Sequence, residues 1–331
     1  MKKWLIPLLL ALLLCGCAAQ PSEYETEFFA MDTVMQLHVY SAKHAEALAG
    51  DVIDTVNGIE NSVSVTKEGT EVYRLNNGNR IAPSETVLAL LERITALSER
   101  TDGCLDPTVY PVVRLWGFTT GVYHVPTEAE RLEALSHCGL ERVHQENGEL
   151  WLDAGSALDF GAVAKGYAAE ICAEMIEKTG ATGILALGGN IQTVGDKPDG
   201  SDWRIGITNP FSPDTTIAVL NLKGSHAVVT SGGYQRYFVE DGVRYSHIMD
   251  PATGRSAASG LCSVTIVADS GFLADGLSTA LYVMGPARAE AFWRESDDFE
   301  CVLITDDGKM LVSEGLKDQI ETEIGFTVIE R

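Results

Sequence analysis

The sequence predicts an α+β fold, a single large domain of mixed, mainly antiparallel sheets with helices packed against them. Hairpin dipeptides recur along the chain, at Asn147-Gly148, Asp241-Gly242 and Asp307-Gly308. Such dipeptides between runs of β-branched and aromatic residues are a strong hairpin signal. Helical periodicities interrupt these strand-rich segments without regular strand–helix alternation, which argues against a doubly wound parallel sheet.

In the N-terminal half, apolar spacing and turn residues define the elements. Thr127 and Glu130 form a capping box that begins a helix. The segment 101–118 is apolar but carries glycine and prolines, so we expect an irregular loop that faces a core or a ligand. The other expected elements are a strand over 28–40 interrupted at Met31-Asp32-Thr33, helices over about 43–60, after Pro83-Ser84 and from Thr127 to near Gly139, and a hairpin around Asn147-Gly148.

The C-terminal half is richer in strands. A helix that reaches Lys178 ends at Gly180, a residue type favoured just past helix C-termini. The remaining expected elements are a strand over 184–194 broken at Gly188-Gly189-Asn190, strands over 203–208, 216–222, 227–230 and 262–268, a hairpin over 234–249, helices over 272–284 and 287–295, and a last hairpin around Asp307-Gly308.

The chain has 331 residues and a formal net charge of −23. This charge argues against nucleic acid as a partner and against electrostatic adhesion to an anionic membrane. Any phosphate-bearing ligand would need a cation to neutralise it locally. Five cysteines remain beyond the first 17 residues, without a CxxC pair, and we interpret them as mostly buried thiols rather than a disulfide framework.

Residues 1–16 have the organisation of a lipoprotein signal peptide. Lys2 and Lys3 precede an apolar run that is too short to span a bilayer. Leu14-Cys15-Gly16-Cys17 resembles a bacterial lipobox, which makes Cys17 the lipidated first residue of the mature protein. Residues 17–27 would form a lipidated tether and 28–331 the folded domain. We therefore expect an exported protein, lipid-anchored at the extracytoplasmic face of a bacterial membrane. The alternative is an ordinary cleaved signal with a chance cysteine.

The hairpin region 230–254 carries polar side chains at or between its turns. Ser231, Arg236, His247 and Asp250 occupy positions where side chains can face a ligand. His247 has the chemistry to take a proton from a hydroxyl near neutral pH. An edge hairpin with incidental polar residues is the alternative.

Two further groups of residues suggest a phosphate and metal site. Asp275 and Thr279 share one face of a helix, with Ser278 beside them, and Mg²⁺ prefers such oxygen ligands. Asp159 and Lys165 bracket a helix start, where a phosphate can bind. Each of these residues also has a purely structural alternative. Asp275 would accept hydrogen bonds from free helical N–H groups, Asp159 would cap the helix, and Lys165 would be a solvated cation.

The chain resembles the FAD:protein FMN transferases, the ApbE family. It lacks GxGxxG, GxxxxGK[ST], HExxH and GxSxG motifs. Seven segments in the family's order, covering about 28–285, carry the resemblance. They are Met31-Asp32-Thr33, TDGCLDPTVYPVVRLWGF (101–118), LDFGAVAKGYAAE (158–170), LALGGNIQTVG (185–195), WRIGIT (203–208), TSGGYQRYFVEDGVRYSHIMDPATG (230–254) and ADSGFLADGLSTALYVMG (268–285).

The resemblance implies an ApbE-like, T-fold-like domain that binds FAD as a substrate. Such an enzyme splits the FAD pyrophosphate with Mg²⁺ and joins FMN to a Thr or Ser hydroxyl of a partner protein, releasing AMP. The partner would be an acceptor flavoprotein subunit of a membrane redox complex. His247 would be the base and Asp275 the catalytic metal ligand. The FAD-binding residues carried over by position are Met31, Thr66, Cys104, Leu105, Asp106, Asp159, Lys165, His247 and Ile248. The metal ligands carried over are Asp275, Thr279, Ser278 and the carbonyl of Ala162.

Two departures from the family pattern affect the flavin pocket's edge. The family often has Met-Gly-Thr where this chain has Met31-Asp32-Thr33, and Ser-Glu where it has Thr70-Glu71. Three rival functions remain open from the sequence. They are an FAD pyrophosphatase that releases FMN and AMP, a non-catalytic flavin-binding lipoprotein, and a transporter's ligand-binding lipoprotein, which would require two α/β lobes that the sequence does not show.

Overall fold

The computed structural model describes residues 22–41 and 44–331. Its strands are β1 (Ser22–Ala30), β2 (Thr33–Ser41), β3 (Val143–Glu146), β4 (Glu149–Leu152), β5 (Thr182–Leu187), β6 (Asn190–Val194), β7 (Trp203–Thr208), β8 (Thr216–Leu222), β9 (Ala227–Gly232), β10 (Tyr237–Glu240), β11 (Val243–Ser246), β12 (Met249–Asp250), β13 (Arg255–Ser256), β14 (Leu261–Ala268), β15 (Phe299–Thr305), β16 (Met310–Ser313), β17 (Ile320–Thr322) and β18 (Phe326–Ile329).

The described residues also form eight α-helices, numbered in chain order. They are α1 (Ala45–Val63), α2 (Glu71–Asn76), α3 (Glu85–Arg100), α4 (Tyr110–Leu115), α5 (Glu128–Leu135), α6 (Ala164–Lys178), α7 (Gly271–Met284) and α8 (Pro286–Arg294). Short 3₁₀ turns lie at 107–109, 140–142 and 314–316. No helix among the described residues combines the length and apolar character needed to cross a bilayer.

A nine-stranded sheet in the order β1-β2-β5-β6-β9-β14-β15-β16-β18 forms the centre of the domain. Its neighbours are antiparallel except β16 and β18, which run parallel. A second sheet has the order β17-β8-β7. The predicted mixed, mainly antiparallel α+β fold is confirmed.

The period-2 alternation of the central strands sends their side chains into two separate cores. Val229, Ile266 and Leu303 face the helical side, where α1, α3, α6 and α7 pack. Their neighbours in sequence, including Val228 and Val302, face the three-stranded sheet and its apolar residues. Because both faces are covered, the central strands read as nearly continuous apolar runs rather than as alternating ones.

The predicted 28–40 strand is two strands, joined by a turn at Met31-Asp32. β1 begins at Ser22 and pairs with β2 along its whole length, so 22–27 of the expected tether are strand. The 184–194 segment is likewise a hairpin, β5–β6, because Gly188 and Gly189 adopt positive φ angles that reverse the chain. The expected loop 101–118 contains α4. The expected signal peptide and Cys17 lie outside the described residues.

The hairpin β10–β11 stands apart from both large sheets. Among the described residues, its strands pair only with each other. Phe238 and Tyr245 on its inner face pack against Trp116 and Phe118, which closes a third small core. The predicted Asp241-Gly242 turn is present, with both residues at positive φ.

Candidate active site

One cavity of about 330 Å³ collects residues from eight separate stretches of the chain. It lies where the β1–β2 turn, helix α3, the segment 104–119 around α4, the N-terminus of α6, the β5–β6 turn, both ends of the β10–β11 hairpin and helix α7 meet. Eight of the nine residues predicted to bind FAD line it. They are Met31, Cys104, Leu105, Asp106, Asp159, Lys165, His247 and Ile248.

Thr66, the ninth predicted residue, does not line this cavity. Its side chain is exposed, and its hydroxyl lies 3.4 Å from that of Ser64 in the turn after α1. Asp250, singled out as a polar hairpin residue, also lies outside the lining. Its carboxylate accepts hydrogen bonds from Ala252 N and Thr253 Oγ1, which stabilises the turn that follows β12.

The N-terminus of α6 forms one wall. Gly161, Ala162 and Lys165 line the cavity there, and Asp159 Oδ1 accepts the Gly161 N–H at 2.8 Å. Burial raises the pKa of Asp159, against the lowering effects of that hydrogen bond and of the Lys165 and Arg236 cations. A helix N-terminus with a lysine in its first turn is suited to an anionic ligand.

Asp275 lies on the α7 side of the same wall and is only 4% exposed. Its Oδ2 accepts the Gly166 N–H at 2.8 Å, one of the free amides in the first turn of α6. Burial raises the pKa of Asp275, opposed by the Lys165 charge and by the Gly166 hydrogen bond. The carboxylate therefore sits in an environment where a further cation would strongly favour its charged form.

Thr279, one helical turn after Asp275, also lines the cavity. Ser278 does not; it is fully buried, and its hydroxyl donates to the carbonyl of Asp275 at 2.8 Å. Ser231, which is part of the lining, connects the two hydroxyls because its Oγ lies 2.7 Å from Ser278 Oγ and 3.4 Å from Thr279 Oγ1. Of the predicted metal ligands, Ala162, Asp275 and Thr279 thus reach the cavity, and Ser278 lies behind them.

His247 approaches the cavity from the end of the β10–β11 hairpin. Its Nδ1 lies 3.1 Å from the carbonyl oxygen of Arg236, which can only accept, so Nδ1 carries the proton. Nε2 is then the unprotonated nitrogen. The pKa of His247 is lowered to about 4, chiefly by burial; the hydrogen bond to the Arg236 carbonyl opposes this shift, and the Arg236 and Lys165 cations add to it.

The cavity combines opposite charges. Its lining holds four carboxylates, on Asp32, Asp106, Asp159 and Asp275, and two cationic side chains, on Lys165 and Arg236. Asp106 is already committed to local structure, since its Oδ1 accepts hydrogen bonds from the backbone and the hydroxyl of Thr108. A ligand with a pyrophosphate would meet an excess of negative charge here unless a cation accompanied it.

Two lining residues have backbone angles that are unusual for their type. Met31 and Asp32 have φ angles of 49° and 59°, the left-handed region required at both central positions of a tight hairpin turn. Glycine adopts this region without strain, which explains why the family often has glycine where this chain has Asp32. The Met31 N–H donates to Glu60 Oε1 at 3.1 Å and ties the turn to α1.

Asn190 is a lining residue that the sequence analysis does not assign. It is buried, its side chain faces Asp275, and its Nδ2 makes no well-formed hydrogen bond. The group is therefore available as a donor to a ligand. The preceding Gly188-Gly189 turn is the sequence feature that indicates this role, because two glycines let the end of a strand approach a ligand closely.

Gly232 and Gly233, where β9 ends and the turn toward β10 begins, do not line the cavity. A side chain at Gly232 would overlap the ring of Tyr234, and one at Gly233 would overlap the hydroxyl of Tyr282. These glycines therefore serve internal packing. Among residues 22–41 and 44–331, no group of three or more His, Cys, Asp or Glu side chains is placed to hold a metal ion.

Comparisons with known proteins agree on one family. The model of the ApbE family matches residues 31–303. The FAD:protein FMN transferase of Vibrio cholerae is 32% identical over 93% of this chain and 96% of its own length. That of Treponema pallidum is 30% identical over 96% of this chain and 94% of its own.

Solved structures give the same result. The ApbE protein from Thermotoga maritima superimposes with a TM-score of 0.84 at 34% identity, over 90% of this chain and 99% of its own. The apo form of the Pseudomonas stutzeri flavinyl transferase ApbE gives a TM-score of 0.78 at 28% identity, over 88% of this chain and 93% of its own.

Proposed function

Since this chain belongs to the ApbE family and is an FAD:protein FMN transferase, we propose that it attaches FMN to a Thr or Ser hydroxyl of an acceptor protein, releases AMP and uses Mg²⁺. The observation that carries the proposal is the meeting of Asp275, Lys165 and His247 at one cavity. An anion-binding helix end, a buried carboxylate and a neutral imidazole are the groups that phosphoryl transfer to a hydroxyl requires.

The residues present fit Mg²⁺. Its preferred ligands are oxygens, and the cavity offers the carboxylate of Asp275, the hydroxyl of Thr279 and the carbonyl of Ala162. A phosphate-bound magnesium needs only one or two protein carboxylates, so a three-residue His/Cys/Asp/Glu cluster is not required. When bound, Mg²⁺ would offset the charge of the pyrophosphate and polarise its oxygens.

The protein's own side chains bind the phosphates and accept the proton of the acceptor hydroxyl. Lys165 and the N-terminus of α6 hold the phosphates, and the Asn190 amide is available as a further donor. His247 Nε2 accepts the proton of the acceptor hydroxyl, while the Arg236 carbonyl keeps Nδ1–H in place. The acceptor oxygen bonds to the phosphorus next to the ribityl group. The bond from that phosphorus to the bridging oxygen breaks, and AMP leaves with that oxygen.

Two rival activities use the same site. An FAD pyrophosphatase would place water where the acceptor hydroxyl lies and release free FMN. A non-catalytic flavin-binding lipoprotein would keep FAD intact and would not depend on Asp275. No lining residue favours either rival over the transferase.

The deciding experiment incubates purified protein with FAD, MgCl₂ and a flavoprotein subunit of a membrane redox complex. We expect AMP in solution and a fluorescent covalent adduct on the acceptor. Asp275→Asn should lower the rate by about 10²-fold or more, and EDTA should stop the reaction. Asp269→Asn is the matched control, because the Asp269 side chain is fully exposed and outside the lining.

Each rival has its own signature in that assay. AMP with free FMN and an unlabelled acceptor identifies the pyrophosphatase. No AMP release by the unaltered protein, together with intact FAD that stays bound to the Asp275→Asn variant, identifies the carrier.

We further propose that the protein is exported and anchored through a lipid on Cys17. The sequence Leu14-Cys15-Gly16-Cys17 supports this proposal. An anchor at the extracytoplasmic face would keep the enzyme near acceptor subunits that are themselves held in the membrane.

A further inference from the structure

The hydroxyl of Thr279 lacks the hydrogen-bond partner that a threonine in a helix often has. A helical threonine can donate to the carbonyl oxygen four residues earlier, which for Thr279 belongs to Asp275. In α7 the hydroxyl of Ser278 donates to that carbonyl instead, at 2.8 Å. Within the described part of the chain, the one partner of the Thr279 hydroxyl is Ser231 of β9, with 3.4 Å between the two oxygens. The direction of the Thr279 O–H bond therefore depends on Ser231.

The three hydroxyls form a chain in which each proton has one direction. A carbonyl oxygen can only accept, so Ser278 uses its proton on Asp275. Ser231 Oγ lies 2.7 Å from Ser278 Oγ and must then be the donor of that pair. With its own proton used, Ser231 can only accept from Thr279. The Thr279 proton is thus turned toward Ser231, and its oxygen lone pairs are left for a ligand in the cavity that Thr279 lines.

This orientation matters for a metal ion. A cation binds the lone pairs of a hydroxyl oxygen, and a hydroxyl proton that points at the cation repels it. Groups that hydrogen-bond a metal ligand from behind fix such orientations, and their removal typically lowers metal affinity by about 10–100-fold. Ser278 is fully buried and outside the cavity lining, so its hydroxyl acts on the cavity only through its neighbours.

We propose that Ser231 is a positioning residue, which holds the Thr279 hydroxyl with its lone pairs toward the Mg²⁺ of the proposed reaction. This inference rests on the proposed function, because it concerns the metal of the same site. Ser278, one of the expected metal ligands, then acts behind Ser231 rather than on the ion, since its oxygen accepts the Ser231 proton.

A direct contact between Ser231 and the ion is the alternative, because Ser231 also lines the cavity. The two arrangements differ in their dependence on Thr279. An ion that binds Ser231 loses this ligand in a Ser231 variant whether or not Thr279 has its hydroxyl. A positioning role, in contrast, acts only through the Thr279 hydroxyl.

The test measures binding of Mn²⁺, which shares the oxygen ligands of Mg²⁺. Electron paramagnetic resonance follows the ion bound to the purified protein, with ADP present as a pyrophosphate that carries no FMN. Asp275→Asn gives the baseline. We expect Ser231→Ala and Ser278→Ala each to raise the dissociation constant of Mn²⁺ by about tenfold. In a Thr279→Val background, Ser231→Ala should add less than about twofold, because the hydroxyl that it orients is already gone.

Thr265→Val is the matched control. The Thr265 hydroxyl is fully buried, lies outside the cavity lining and is 2.8 Å from that of Thr230, the neighbour of Ser231 in β9. The variant therefore breaks a similar hydroxyl pair beside the chain, and it should bind Mn²⁺ like the wild type. In the transfer assay, Ser231→Ala should need about tenfold more MgCl₂ for half of its maximal rate. Circular dichroism checks that each variant is folded.

Unchanged Mn²⁺ binding in Ser231→Ala or in Ser278→Ala overturns the inference. An equal loss from Ser231→Ala with and without the Thr279 hydroxyl also overturns it and assigns a direct contact with the ion. So does a tenfold loss in Thr265→Val, which would show a general disturbance of the strands. A wild type that binds no more tightly than Asp275→Asn removes the metal site and this role together. The proposed function fails on a different result, the absence of AMP release, which the Mn²⁺ measurement does not involve.

Discussion

At the scale of single residues, His247, the proposed base, has a fixed orientation and a low proton affinity. The Arg236 carbonyl holds the proton on Nδ1, and burial with two nearby cations keeps the ring neutral. A low pKa weakens a base, but it also keeps Nε2 available over a wider pH range. The imidazole is thus suited to a hydroxyl that a metal-bound phosphate already positions.

This arrangement predicts the acid limb of the pH–rate profile. Because the pKa of His247 is lowered to about 4, the neutral form persists well below 6.5, the usual value for histidine. We expect kcat/KM for transfer to stay constant as pH falls and to decline only near pH 4. Initial rates of AMP release check this, with circular dichroism at each pH as the control for folding. A limb centred at 6.5 would show that a different environment surrounds the ring.

At the scale of elements, the crossing of α6 and α7 positions Asp275. The helices touch at Gly166 and Gly271, and a side chain on either glycine would overlap the backbone carbonyl of the other. This close approach brings the Asp275 carboxylate to the Gly166 N–H. The position of the proposed metal ligand Asp275 therefore depends on two glycines, Gly166 and Gly271, which have no side-chain functional group.

Gly166→Ala should damage both stability and activity. The added methyl group must displace α7, so we expect the free energy of unfolding to fall by about 1–3 kcal/mol and transfer to be lost with it. Gly58→Ala is the matched control, because Gly58 lies in α1 with open space around it. That change should stabilise the protein by about 0.5–1 kcal/mol. Denaturant titration measures both, and a neutral Gly166→Ala would contradict the close crossing.

An ion pair also holds α6 and α7 in place. Arg93 of α3 contacts Glu170 of α6 at 2.6 Å, and Glu170 also accepts a hydrogen bond from Ser270, the N-cap of α7. Burial alone would raise the pKa of Glu170, but hydrogen bonds from Arg93, Ser270 and the Phe272 N–H bring it below its usual value. A single carboxylate thus joins three helices.

Glu170→Gln should lower the free energy of unfolding by about 2 kcal/mol at neutral pH, allowing for the partial exposure of the pair. Because the folded pKa lies below the unfolded one, this contribution is present above pH 4.5 and is lost as pH falls further. The difference between wild type and variant should therefore shrink in acid. Glu174→Gln, which breaks an exposed pair on the same helix, should change stability by less than about 0.5 kcal/mol. Urea titrations at pH 7 and pH 4 measure the free energy of unfolding of both proteins, and an equal difference at the two pH values would contradict the prediction.

At the scale of the whole molecule, the acidic domain and its expected anchor act in opposite directions. Net charge keeps the domain away from anionic lipid, whereas acyl chains on Cys17 would hold it there. Cys17→Ser should move the protein from the membrane fraction to the soluble one without changing FAD cleavage. Cys15→Ser is the control and should remain sedimentable. A Cys17→Ser protein that still sediments with membranes would exclude the lipid anchor.

Local signals predicted the elements well. Turn dipeptides such as Asn147-Gly148 and caps such as Thr127 act within a few residues, so the sequence displays them directly. The strand order of the central sheet depends on contacts between distant segments, which no short pattern contains. The first strand begins at Ser22 rather than at the expected residue 28. The segment Ser22–Glu27 belongs to an edge strand, where polar residues are common, and so it lacks the apolar pattern that indicates a strand.

The candidate site was predicted through the family resemblance more than through chemistry. Motif positions identify eight residues that the structure brings to one cavity, whereas Thr66, in a turn that matches the family poorly, does not line it. Ser278 and Thr279 are neighbours in sequence, yet only a packed helix decides which hydroxyl faces the cavity. Gly233 shows the same limit, because its role follows from the position of Tyr282.

Different residues of the β10–β11 hairpin are constrained for different reasons. Its inner residues, Phe238 and Tyr245, are fixed by packing, and its ends carry the site residues Arg236 and His247. The outward positions, such as Val239, are exposed to solvent. Evolution or design can therefore change this outer face while the packed inner face and the cavity-lining ends of the hairpin stay the same.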